Sequence, residues 1–176
     1  MNFKTAVCGA LWLGLAIVPA TVHAQATSDN PSVTAQLDAV KPLVAKIKKN
    51  AVTMQSFGLS SGPSWTTHAE VLTRMKDDVN KLQESTRGLQ SHRTVASGWQ
   101  QDAIDRITAL ANDLANNMNA AIDHLNKSKT RPTAAPYPEY LKENTRLATA
   151  LGDEINAVID AGEAKAKEEA LSQKLD

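Results

Sequence analysis

Apolar residues recur along most of this chain at alternating steps of four and three. In Ser97–Leu125 the series is Ile107, Ala111, Leu114, Met118, Ala121 and Leu125. That spacing places all six on one helical stripe. Ile104, Leu110 and Ile122 widen the stripe to the breadth of a core-facing helix. Ser97, with Gln100 three residues later, marks the start: the Ser hydroxyl caps a free amide while Gln100 reaches back to the Ser97 amide.

Three other stretches carry matching stripes. In 31–57 they are Val33, Leu37, Val40, Val44, Ile47, Ala51 and Met54, with Pro31 suited to the first helical position. Pro42 interrupts this helix and removes a hydrogen bond, but the stripe keeps phase across it, so one kinked helix is predicted. Gly58 is a stop and 59–63 a turn. The second helix, 65–93, is capped by Ser64 and buries Trp65, His68, Leu72, Met75, Val79, Leu82, Thr86 and Leu89. The third spans 98–126. A Pro-rich loop with Pro132, Pro136 and Pro138 leads to the fourth, 138–162, whose stripe is Leu141, Asn144, Ala148, Leu151, Ile155, Val158 and Gly162. Beyond Gly162 the stripe dissolves, yet 163–176 keeps strong helix formers and Glu/Lys pairs such as Glu163 with Lys167. It is expected to continue as a charged, solvated helix overhanging the bundle.

Each of the first three helices is roughly 27–29 residues, about 40 Å long at 1.5 Å per residue. The stretch 94–96 between helices two and three is too short for anything but reversal, so those two should be antiparallel neighbours. The predicted fold is all-α: an antiparallel up-down-up-down four-helix bundle with left-handed packing.

The N-terminus changes the picture. Lys4 precedes an apolar run, Ala6–Val18, then Pro19 and a small-x-small site, Val22-His23-Ala24. This reads as a cleaved export signal over 1–24, too short to span a bilayer. The expected location is periplasmic or extracellular, with 25–30 a flexible lead-in and no transmembrane helix after cleavage. Cys8 lies inside the signal, so the mature chain has no cysteine: no disulfide, thiol nucleophile or thiolate metal site. Without Lys4 the mature chain carries 18 Lys and Arg against 19 Asp and Glu, a balance that gives no reason to expect nucleic acid.

The usual catalytic and cofactor templates fail. There is no HExxH, no Gly-rich phosphate loop after a strand and no CxxCH haem attachment. A di-iron bundle needs Glu-x-x-His pairs, but His68 follows Trp65 and His124 follows Ala121 at that spacing. One gathering remains. Helices two and three reverse near Val95, which puts His68 and His124 at nearly one height. The first turn brings Met54 there, and the fourth helix adds Tyr140, Glu143 and Asn144. Two imidazoles, a thioether and a carboxylate are ligand types for a transition metal or haem iron, so His68, His124, Met54 and Glu143 are the metal candidates. The competing reading makes His68 an end-of-core residue bonded to backbone or water, and Met54 a gap-filler. Lys127, Lys129 and Arg131 read as cations favouring a helix C-terminus. Trp65 and Trp99 read as plugs at opposite ends of the core.

Ser64–Asn80 (SWTTHAEVLTRMKDDVN), Ala96–Ile107 (ASGWQQDAIDRI), Ala120–Asn126 (AAIDHLN) and Pro138–Asn144 (PEYLKEN) resemble, in the same order, a group of exported all-helical proteins of environmental bacteria. The resemblance implies a shared fold and export. It carries no activity, ligand or catalytic residue. The expectation is therefore a non-enzymatic exported bundle acting by binding, structurally or as an interaction module for a protein partner, with no cofactor. The alternative is a metal- or haem-binding bundle with its ligands at the His68/His124 end.

Overall fold

The computed structural model describes residues 29–59 and 63–174. The expected export signal, its cleavage site, Cys8 and most of the 25–30 lead-in lie outside the described residues. The helices are α1 (Pro31–Gly58), α2 (Trp65–Ser91), α3 (Gly98–Lys127) and α4 (Tyr137–Ser172), with a short 3-10 turn at Arg93–Val95. Among the described residues there is no strand, and no helix is long and apolar enough to cross a membrane.

Cross-helix contacts fix the topology. Val44 lies opposite Gly152, and Thr34 opposite Gly162, so α1 and α4 run antiparallel. Gln36 meets Gly88, and Lys46 bonds Asp78 (2.8 Å), which does the same for α1 and α2. Trp65 reaches Leu125, and Gln90 reaches Thr108, across α2 and α3. Arg106 bonds Glu154, and Asn117 bonds Asn144, across α3 and α4. Each helix packs extensively against its two neighbours around a square, with α1 and α4 closing it. This is the expected four-helix bundle.

The predicted stripes are the buried faces. Val33, Leu37, Val40, Val44, Ile47, Ala51 and Met54 are all buried from α1, and Ile107, Ala111, Leu114, Met118, Ala121 and Leu125 from α3. Each large aliphatic side chain taken out of water contributes roughly 1.5–3 kcal/mol, which is what holds the bundle together. Pro42 sits inside α1 without splitting it.

Helix ends differ in detail from expectation. α2 stops at Ser91 rather than 93: the His92 amide turns back to the Leu89 carbonyl and the chain enters the 3-10 turn. α4 starts at Tyr137, one residue before Pro138, because a proline in the first turn needs no amide partner. It then runs unbroken through the extension. Asp29 and Asn30 are not loose. Asn30 caps α1 by accepting from the Ser32 amide (2.9 Å), and its own amide donates to Gln100 Oε1 (2.8 Å). Gln100 also accepts from the Ser97 amide (3.2 Å), so one residue ties α3 to itself and to α1.

Candidate functional site

The residues with most chemistry meet at the end of the bundle where α1 and α3 finish and α2 and α4 begin. His68 stands in the first turn of α2, one helical step inside Trp65, so its ring enters the core. It is fully buried. Its Nδ1 shares a hydrogen bond with the Tyr137 hydroxyl (3.1 Å). Phe57 from α1 and Tyr137 from α4 make edge contacts with the ring at 5.7 and 5.4 Å. His124, near the end of α3, stacks on the Tyr137 ring at 5.7 Å and meets Tyr140 edge-on at 6.3 Å. Tyr137 therefore touches both imidazoles. Below it, Asn117 donates to the Tyr140 carbonyl (2.7 Å) and to Asn144 Oδ1 (2.9 Å).

The layer is tightly closed. A Cβ added at Gly58 would come within 2.9 Å of Leu141 Cδ1, so the last turn of α1 lies directly on α4. Trp65 covers the outside, its Nε1 donating to the Leu125 carbonyl (2.9 Å) and its ring beneath Lys129 Nζ at 4.9 Å. At this end three buried polar atoms have no hydrogen-bond partner among the described residues: His68 Nε2, His124 Nε2 and Asn144 Nδ2. Burial lowers the pKa of His68 and raises the Tyr137 phenol far above its ordinary range. Both stay neutral near pH 7.

The four metal candidates fare differently. His68 and His124 share a neighbour, and Met54 is buried at the same end of α1. Glu143 is turned to the surface, where both its oxygens are held by Arg146 (2.6 and 2.8 Å). Among the described residues no three His, Cys, Asp or Glu gather as a ligand set. What the imidazoles have in common is a phenol. His68 bonds a side chain here, not the backbone or water expected of an end-of-core histidine.

Tyr137 and Phe57 escaped the sequence reading. The signal for Tyr137 was present: one more step of four back from Leu141 lands on it. Taking Pro138 as the start of α4 hid that step. Surface grooves flank this end, one lined by Asn117, Tyr140, Glu143 and Arg146 and one by Pro63 and the loop at 130–134. Another, of about 220 Å³, runs between α1 and α4 and is lined by Lys41, Lys48, Gly152 and Asp153 among others. Within the layer the buried His68 imidazole and Tyr137 phenol can hold a proton position between them. No family model, no curated protein and no solved structure matches this chain.

Proposed function

We propose that this chain is an exported, non-enzymatic helical bundle that acts by binding a protein partner, and that the end of α4 is its docking element. The observation that carries this is the extension: Glu163–Ser172 is ten consecutive exposed residues in unbroken helix. Apart from Lys165, which reaches Asp29 and Trp99, this helix buries little to hold itself together and draws on side-chain pairs at i,i+4. Glu163 with Lys167 and Lys165 with Glu169 have that spacing. The residues able to do chemistry, in contrast, are used to close the core. Export rests on the signal-like N-terminal sequence.

Photo-crosslinking in the native host tests the docking reading. A crosslinker at Leu171 should give a specific adduct, and one at exposed Asn116 on α3 should not. Equal labelling from both, or none from Leu171, would remove the extension from the function. N-terminal sequencing of the exported fraction should begin at Gln25. The metal content and visible spectrum of protein purified without chelators or a histidine tag form the second test. The expected result is a colourless, metal-free protein. A stoichiometric metal or haem band, lost in the His68→Ala/His124→Ala double variant, would replace this reading with a cofactor protein.

A further inference from the structure

We propose that the Tyr137 end of the bundle is an acid-sensitive latch: a proton taken up by His68 releases Tyr137 and the 128–136 loop and opens the mouth of the core. This goes beyond the docking reading and does not depend on it.

The geometry leaves the imidazolium nowhere to go. In either neutral tautomer His68 Nδ1 pairs with the Tyr137 hydroxyl, as acceptor or as donor. Protonation puts an N–H on both ring nitrogens. The Nδ1–H can still donate to the Tyr137 oxygen. The Nε2–H has no acceptor among the described residues, since that atom is buried without a partner. An unpaired donor carrying part of a positive charge is the costliest group to leave in a core.

Among the described residues nothing around the ring offsets that charge. α1 presents Phe57, which does not titrate. α4 presents Tyr137, which burial keeps neutral. α3 presents His124, on the far side of Tyr137, a side chain that brings no negative charge. Burial is the sole influence resolved on the His68 pKa, with no carboxylate or other charge acting on it. Gly58 lies so close to Leu141 that an added Cβ would come within 2.9 Å of its Cδ1, so α1 and α4 are tightly packed here while the end is shut.

The loop is built to let go. Its backbone hydrogen bonds are local: Arg131 to Ser128, Ala134 to Arg131 and Tyr137 to Ala134. It is pinned to the bundle by the buried Tyr137 ring and by Lys129 over Trp65. Freeing Tyr137 hydrates His68 Nε2 and uncovers Phe57, while the stripes of all four helices stay packed below.

The sign follows from the buried state binding the proton less well than the open one. The closed form is fully favoured above the ordinary imidazole value of 6.5 and loses that advantage as pH falls below it. Two indoles report the two ends independently, because Trp65 Nε1 bonds Leu125 at this end and Trp99 Nε1 bonds Asp29 at the other.

The test is an NMR titration of the ¹⁵N-labelled protein from about pH 8 to about pH 4, spanning the imidazole range. Indole signals are assigned with Trp65→Phe and Trp99→Phe, and the His68 imidazole with His68→Gln. The Trp65 indole should shift to a solvent-bonded position with the same midpoint as the His68 ring, below 6.5, while Trp99 stays in place. His68→Gln should lose the Trp65 transition. Retention of the transition in that variant, simultaneous movement of both indoles, or a silent Trp65 would overturn the latch. If His68→Gln fails to fold, the wild-type titration still decides: a His68 ring that stays neutral through the Trp65 transition also overturns it.

Discussion

The two ends of the bundle are closed by opposite chemistry. At the Tyr137 end the seal is aromatic and centred on two fully buried rings: Phe57, His68, Tyr137 and His124 make ring contacts in series, and one hydrogen bond joins His68 to Tyr137. At the other end the seal is half-exposed and charged. Trp99 Nε1 donates to Asp29 (2.6 Å), Lys165 bonds the same carboxylate (3.1 Å), and its ammonium lies 5.4 Å from the Trp99 ring centroid. Gln100 and Asn30 complete that clasp with two mutual hydrogen bonds (2.8 and 3.2 Å). A tryptophan caps each end, but only one end has solvent to screen its charges. The buried end should fail by losing packing or gaining a proton. The exposed end should fail gradually, with salt and with strong acid.

The largest effect expected is from Tyr137→Ala. It empties a fully buried aromatic site that two imidazoles lean on, and should cost about 3–5 kcal/mol by chemical denaturation. Tyr137→Phe keeps the ring and removes the hydroxyl, leaving His68 Nδ1 unpaired in the core. The expected loss is about 1–3 kcal/mol, with little dependence on salt. Trp99→Phe at the opposite end should cost only about 0.5–1.5 kcal/mol, for a hydrogen bond lost where water can replace it. A Tyr137→Phe variant as mild as Trp99→Phe would show that the buried end is not the more demanding seal.

Much of this asymmetry was legible in the sequence and part was not. The stripes of Val33–Met54 and Ile107–Leu125 specify the buried faces because helix periodicity is a local property. The co-level placement of His68 and His124 followed from the short α2–α3 turn. The partners of those imidazoles did not follow. Which ring faces which depends on how α4 is rotated against α2 and α3, and that is set by packing across the bundle. The same holds for Asp78. It is buried at 3% side-chain exposure and bonded to Lys46, yet its sequence context reads as another charged residue on the solvent face. Glu143 shows the reverse error: it was placed at the right height but on the wrong face, where Arg146, three residues on, holds it.

Acid should separate the ends in order. Burial raises the Asp29 carboxyl, but hydrogen bonds from Trp99 and Lys165 among others outweigh it and hold the pKa below its ordinary 3.8. A depressed carboxylate stabilises the fold above its ordinary value and loses that contribution as pH falls through its folded one. The Trp99 clasp should therefore hold until pH drops below 3.8, whereas the His68 seal weakens from 6.5 downwards. Following the two indole signals down the same titration should show Trp65 changing first. Trp99 changing first would reverse the assignment of the sensitive end.

The smallest effect separates the clasp from the extension that supplies it. Ending the chain after Gly162 removes Lys165, and with it the contacts to Asp29 and Trp99. Both partners are partly exposed, so the loss should be about 1 kcal/mol or less, a fall of roughly 2–4 °C in Tm at most for a chain of this size. Ending the chain after Lys167 keeps Lys165 and discards the rest of the solvated helix. Tm should then be unchanged within error, because none of the described residues removed is buried. Raising salt should erase the difference between the two truncations, since what distinguishes them is a screened charge pair. If the longer truncation costs no more than the shorter even at low salt, Lys165 contributes nothing to the exposed seal, and the Trp99 end is held by Asn30 and Gln100 instead.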